Sequence, residues 1–398
     1  MKEIVILGAA RTPIGSFQGA LSSMSAPRLG AVAIRCALSN AGVSPEQVQY
    51  VLLGNVLQAG LGQAPARQAS IEAGVPVGAG ALTVHKVCSS GLKAVMIAAN
   101  DIRCGDYEVA IAGGMESMSN APYLLPQARN GFRMGNGKIV DSMIHDGLWD
   151  PYGDKHMGNC AESCVEKYQF KREEQDAYSR TSYERAQEAV RSGKFKKEIA
   201  VVEIENRKGK SVVVDDEEPF AAPLDKMATL KPAFQKDGSV TAANSSKISD
   251  GAAALVVASL EWAEKNGKRP LARILAHATM SQEPEWFTTA PGGAIKKVLD
   301  KAQLTVADID LFEVNEAFAA VAMATMKDIG LSHDKLNIRG GAVALGHPIG
   351  ASGARILVTL LHALEERGGR RGLVAICNGG GEATAMIVER VVSGGAGQ

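Results

Sequence analysis

The sequence predicts an α/β protein with a duplicated βαβ core and a segment inserted between the two copies. Three observations carry this. The stretches "CSSGLKAVMIAANDIRCGDYEVAIAGGMES" and "GASGARILVTLLHALEERGGRRGLVAICNGGGEA" follow one plan: a small-residue turn, an apolar-faced helix, a polar break, then a strand that ends in glycines. Ser90-Gly91 corresponds to Ser352-Gly353, and "VAIAGG" at 109–114 corresponds to "VAICNGG" at 374–380. Strand, crossover helix and strand in succession indicate a parallel sheet with helices on its faces. The composition agrees, since 46% hydrophobic residues and 43 glycines among 398 suit many strand-to-helix turns and exclude a disordered chain. Between the copies the texture changes to polar and charged, which reads as an added layer rather than core.

The elements follow in order. "MKEIVILGAARTP" opens directly into a strand, with no apolar segment of signal-peptide length. "ALTV" is a short strand, and "GLKAVMIAANDI" places Leu92, Val95, Met96 and Ala99 at helical spacing, so Cys88 falls in the turn between them. The inserted segment holds the charged helix "KREEQDAYSRTSYERAQEAV", and strand material resumes at "SDGAAALVVASL". The second half starts near "LARILAHATM" and includes the helix "GGAIKKVLDKAQL", with Ile295, Val298, Leu299 and Ala302 on one face. The expected division is 1–118 plus 245–270 for the first half, 119–244 for the insertion and 271–398 for the second half.

Charge excludes some partners. The 43 basic and 43 acidic residues balance, which argues against a surface built for nucleic acid or an anionic membrane, and no apolar run reaches spanning length. Cys36, Cys88, Cys104, Cys160, Cys164 and Cys377 lack the spacing of a disulfide scaffold or a zinc site, so a reducing compartment is expected. "SGGAGQ" at the C-terminus carries no peroxisomal address, and the cytoplasm is the expected location.

Cys88 stands at a helix N-terminus, where free backbone N–H groups and the helix dipole favour an anion and are expected to lower a thiol's pKa. A buried structural thiol is the plainer reading of the same residue. His347 lies in the equivalent loop of the second copy, so the duplication brings the two loops together at the carboxyl end of the sheet. Cys377 ends the strand "GLVAICNGGG", where Gly379, Gly380 and Gly381 offer backbone N–H groups to a developing oxyanion. Cysteine with histidine makes a nucleophile and base, and a second cysteine can act as acid or base. Asn315 and Glu316 are placed at the start of a helix whose apolar face holds Phe318, Val321 and Ala322. There Asn315 either caps the helix or holds a water against a carbonyl.

"HKVCSSGLKA", "AGGMESMS", "NEAFA", "GGAVALGHPIGASG" and "CNGGG", in this order, resemble the thiolase family along the whole chain. The resemblance implies a layered α/β/α/β/α fold with an inserted loop domain, usually assembled as a homotetramer. It is nearest to the biosynthetic members, which condense two acetyl-CoA to acetoacetyl-CoA and CoA. It implies that Cys88 carries the acetyl group, His347 activates it, and Cys377 exchanges the α-proton of the second acetyl-CoA. Asn315 would hold a water that forms one oxyanion hole with His347, and the N–H groups of Cys88 and Gly379 would form another. Leu148, His156, Met157, Phe234, Ala242, Ser246, Ile248, Ala317 and Phe318 match positions along the CoA arm. Met157 limits room for the acyl group or is ordinary loop packing. CoA enters as substrate and product, and no permanently bound cofactor is expected. The alternative within the family is a degradative 3-ketoacyl-CoA thiolase of broader chain length. Outside it stand the decarboxylating condensing enzymes, which Cys377 argues against, and an inactive acyl-CoA-binding module. Two positions depart from the family pattern: His85 where Asn is usual, and Pro219-Phe220 where many relatives carry an Arg toward the CoA phosphates.

Overall fold

The computed structural model describes residues 2–206 and 209–391, so the C-terminal "SGGAGQ" lies outside the described residues. Nine principal strands form one sheet: β1 (Ile4–Arg11), β2 (Tyr50–Gly54), β3 (Gly80–Val84), β4 (Val109–Ser117), β5 (Ser249–Ser259), β6 (Ala272–Ser281), β7 (Leu311–Val314), β8 (Arg371–Asn378) and β9 (Glu382–Arg390). Their order is β7-β8-β9-β6-β1-β5-β4-β2-β3. The halves meet through two residue pairs, Val5 with Arg273 and Ile6 with Ala272. Outward from that seam each half repeats one pattern. β1·β5 and β5·β4 are antiparallel and β4·β2 and β2·β3 parallel; β6·β9 and β9·β8 are antiparallel and β8·β7 parallel.

The counterpart of β3 in the second half is a single parallel bridge between Phe312 and Leu336. Beside it the Asn337 side chain takes over the ladder, accepting from the Val314 N–H at 2.9 Å and donating to the Val314 carbonyl at 2.9 Å. At the opposite end of the sheet β3 is the terminal strand, and its Leu82 is exposed.

Helices α3 (Ser90–Cys104) and α8 (Ile349–Arg367) lie between the two sheet halves. Their Leu92, Val95, Leu357 and Leu360 share one core with Leu255 and Val257 of the first half and Val374 and Met386 of the second. The outer faces are covered by α1 (Ala26–Ala41) and α2 (Pro65–Glu72) on the first half, and by α6 (Ala290–Ala302) and α7 (Ala319–Ile329) on the second. Strands buried on both faces explain the near-continuous apolar runs of β4 and β5, in which every residue is buried.

The two central helices touch backbone to backbone where they begin. A Cβ on Gly91 would meet the Ala354 nitrogen at 2.9 Å, and one on Gly353 would meet the Leu92 nitrogen at 2.6 Å. The residues that mark the repeat in the sequence therefore face each other across it. Gly114 within β4 closes the contact, because a Cβ there would stand 2.0 Å from the Gly350 carbonyl oxygen.

The insertion contributes α4 (Met157–Tyr168) and α5 (Arg172–Arg191) and is more than a surface layer. Cys160, Ala161 and Cys164 pack under Phe318 and Val321, and Tyr183 and Ala186 pack against Val343 and Leu345. The polar composition hid this, since each helix buries only one stripe. At the end of β1, buried Arg11 pairs with Glu198 at 2.6 Å and Asp216 at 2.7 Å, binding the insertion to the first half.

Gly114→Ala should lower stability by about 3 kcal/mol or prevent folding, because nothing at that contact can yield. Gly78→Ala, where a Cβ meets no heavy atom within 4 Å, should change it by less than about 0.5 kcal/mol. Thermal denaturation checks the pair, and equal melting temperatures would rule out the close contact as the constraint.

Candidate active site

The turn between β3 and α3 is strained and well braced. Val87 adopts φ 45°, a left-handed conformation that costs a β-branched residue about 1–3 kcal/mol. Ser90 offsets it: its hydroxyl accepts from the Lys86 N–H at 2.8 Å and donates to the Val87 carbonyl at 2.6 Å. The next hydroxyl, on Ser89, donates to Asn378 Oδ1 at 2.7 Å and fastens the turn to the end of β8. Cys88 is thereby held half-buried between the strained residue and the helix, close to the strand that carries Cys377.

His347 is fixed on two sides. Its backbone N–H donates to the Lys247 carbonyl at 3.0 Å, and Nδ1 lies 2.6 Å from the Ser352 hydroxyl. That hydroxyl also lies 2.9 Å from the Pro348 carbonyl oxygen, to which it can only donate. Nδ1 then carries the ring proton and Nε2 the lone pair. Nε2 is buried and has no hydrogen-bond partner among the described residues, which leaves it to accept from a reacting group.

The Asn315 amide is likewise buried with neither atom partnered among the described residues. It does not cap α7, whose N-cap is Phe318, so the helix starts later than the spacing predicts. Glu316 is structural: it accepts from Tyr178, Ser182 and Asn337 side chains and from the Val343 N–H.

The expectation of a lowered thiol pKa is overturned. Burial pushes Cys88 up to about 12, although the nearby backbone N–H groups of Cys88 and Gly379 act in the opposite sense. Burial, with a smaller contribution from the Arg355 guanidinium, pushes His347 down to about 3. Cys377 is held well above the ordinary thiol value by burial and then by the nearby Cys88. At neutral pH the site holds a thiol and a neutral imidazole, not a thiolate–imidazolium pair. Desolvation outweighs the helix N-terminus here because it acts on the whole charge, whereas the terminus supplies partial charges.

A cavity of about 420 Å³ opens onto this site. Cys88, His347 and Gly379 stand in its wall. So do the CoA-arm positions expected from the sequence: Leu148, His156, Met157, Phe234 and Ala242, and also Ser246, Ile248, Ala317 and Phe318. Cys377 and Asn315 are buried and are not among the lining residues. His156 also caps α4, accepting the Gly158 N–H at 3.0 Å, and stacks on Phe234 with ring centroids 4.7 Å apart. Val87, Met118, Ile349 and Lys247 line the cavity and were not read from the sequence. Ser352 was noticed only as a mark of the repeat.

The two unusual positions have structural accounts. His85 Nδ1 accepts the Val87 N–H at 3.4 Å, as an amide oxygen would, and burial lowers its pKa, so it is neutral at pH 7. Phe220 is half-exposed under the Arg191 guanidinium, 5.2 Å from the ring centroid.

A turn-borne thiol, an imidazole with a free Nε2 and a second buried thiol, set on a duplicated five-layer fold, define an enzyme of acyl-thioester chemistry. The sequence matches the thiolase N-terminal domain over residues 4–261 and the thiolase C-terminal domain over 268–390, and the chain belongs to the thiolase family. It is 51% identical over 392 residues to the acetyl-CoA acetyltransferase of Cupriavidus necator, covering 98% of this chain and 100% of that one. Acetyl-CoA acetyltransferase 2 of Arabidopsis thaliana is 50% identical over 391 residues, with 98% and 97% covered. Among solved structures, the Acat5 thiolase of Ascaris suum in complex with coenzyme A superposes with a TM-score of 0.93 at 43% identity, covering 98% of this chain and 100% of that one.

Alkylation of Cys88 by iodoacetamide should accelerate about tenfold per pH unit between about pH 7 and pH 10 without a plateau, because the thiol ionises only above that range. Peptide mass spectrometry follows the rate. A plateau near neutrality would instead reveal a preformed ion pair.

Proposed function

We propose that this chain is an acetyl-CoA C-acetyltransferase, which condenses two acetyl-CoA reversibly to acetoacetyl-CoA and CoA through an acetyl-Cys88 intermediate. One juxtaposition carries the reading: Cys88, His347 and Gly379 share the cavity wall, with Cys377 within electrostatic reach of the Cys88 sulfur. The names of the relatives support the substrate.

Cys88 attacks the thioester carbonyl as its proton passes to His347 Nε2. The oxyanion is met by the N–H groups of Cys88 and Gly379, each such donor being worth about 3 kcal/mol. The carbon–sulfur bond breaks, and the CoA sulfur leaves as a thiol with the proton of Cys377. That proton transfer leaves Cys377 as a thiolate beside an imidazolium. Burial, which opposes ionisation at rest, makes the Cys377 thiolate a strong base. It takes the α-proton of the second acetyl-CoA, and the enolate oxygen is held by protonated His347 and by a water on the Asn315 amide. The enolate carbon attacks the acetyl group on Cys88, and the departing sulfur recovers its proton from His347. All three residues end as they began, and the steps use only the chain's own groups with CoA as substrate and product.

Met157 supports a short acyl group, since a Cβ built on Gly379 would stand 3.5 Å from the Met157 methyl carbon. The thioether therefore closes the space next to the oxyanion hole. The exposed apolar side chains Phe132, Met134 and Ile139 support a homo-oligomer, which we propose to be a tetramer. The unpaired cysteines and balanced charge support the cytoplasm, and no helix among the described residues is long and apolar enough to cross a membrane.

Incubation with radiolabelled acetyl-CoA should leave one acetyl group per chain, and Cys88→Ala should abolish it; full labelling of that variant would refute the assignment. Met157→Ala should raise kcat/KM for 3-ketohexanoyl-CoA relative to acetoacetyl-CoA by about tenfold or more. An unchanged ratio would show that Met157 does not limit chain length.

A further inference from the structure

Lys247 is the one lysine or arginine among the cavity's lining residues, and the acyl-transfer steps make no use of its side chain. Its backbone carbonyl holds the His347 N–H, so the residue sits beside the reacting end. Its ammonium turns back along the wall and donates to the carbonyls of Ala242 and Ser245, which also line the cavity. An ammonium has three N–H donors, and these two contacts leave one for a ligand. The Tyr183 ring lies under the charge, 5.7 Å away, and Glu218 is the carboxylate that faces it, itself part of the cavity wall. Lys247 is half-buried, and the partial loss of water lowers its pKa to about 8 despite Glu218. An apolar side chain of equal length would line the cavity without that cost.

We propose that the Lys247 ammonium recognises CoA, donating its third N–H to an acceptor oxygen of the bound arm. This rests on the acyl-CoA reading above and adds a residue to it. CoA presents two kinds of acceptor, the amide carbonyls of the pantetheine arm and the phosphate oxygens beyond it. Either takes a charge-assisted hydrogen bond, which is stronger than a neutral one and more so in a desolvated wall. The contact is made equally in ground and transition states, so it acts on KM and not on kcat.

Lys247→Met should raise KM for acetyl-CoA and the calorimetric Kd for CoA by about tenfold, with kcat within about twofold of wild type. Lys247→Arg, which keeps the charge, should recover most of the loss. Acetyl-pantetheine, which lacks the adenosine phosphates, separates the acceptors: a KM rise that persists with it assigns the amide carbonyls, and one confined to acetyl-CoA assigns a phosphate. A side chain that merely clasps its own loop would give a different result. Lys247→Met would then lower the melting temperature and kcat through His347 while leaving the Kd for CoA unchanged, and that outcome overturns the proposal. Because the Kd needs no turnover, a weaker Kd in Lys247→Met would support the contact even if the wild-type protein transferred no acetyl group.

Discussion

The structure depends on one steric constraint: the N-terminal turns of α3 and α8 must meet with no side chain between them. Gly91 faces Ala354, Gly353 faces Leu92, and Gly114 closes on the Gly350 carbonyl. A turn at the start of each helix carries a reacting group, so this contact sets how far apart the groups stand. Hydrophobic burial fixes the layers only to within the tolerance of repacking, whereas backbone contact admits no intermediate positions. The catalytic geometry thus inherits its accuracy from the tightest packing in the molecule.

The same tight packing decides the electrostatics. Cys377 and His347 are shielded from water and Cys88 is half-buried, and each is driven toward its neutral form, with Cys88 and Cys377 raised and His347 lowered. Such a site gains reactivity only as charge is generated on the reaction path, where the fixed N–H groups of Cys88 and Gly379 are already in place. The Ser352 contact serves the same end by leaving the proton-accepting nitrogen open before substrate arrives.

Much of this was legible in the sequence, for identifiable reasons. The repeat is carried by small residues at fixed spacing, and those residues are the ones in mutual contact, so pairing Ser90-Gly91 with Ser352-Gly353 located the meeting point of the loops. Leu92, Val95, Met96 and Ala99 announced α3 through their period, and all are buried. What failed to show depends on distance in space. The direction of the Cys88 shift follows from burial, which a motif does not reveal, and Asn315 was placed on a helix that begins only at Ala319. Lys247 stands between Ser246 and Ile248, which the sequence places along the CoA arm, but a lysine in the polar run "NSSKIS" reads as a solvated side chain rather than as part of the wall. The buried stripes of α4 and α5 were masked by the charges on their outer faces.

The two halves of the sheet end differently, and this has a consequence for assembly. On one side the Asn337 amide occupies the backbone groups of Val314 and closes the edge, while on the other β3 remains a terminal strand. Among the described residues only the β3 edge is open to a second copy that adds to the sheet, and that copy must present its own β3 in return. Such a junction is two-fold and self-limiting, so growth stops at a pair and no open-ended filament can form by this route.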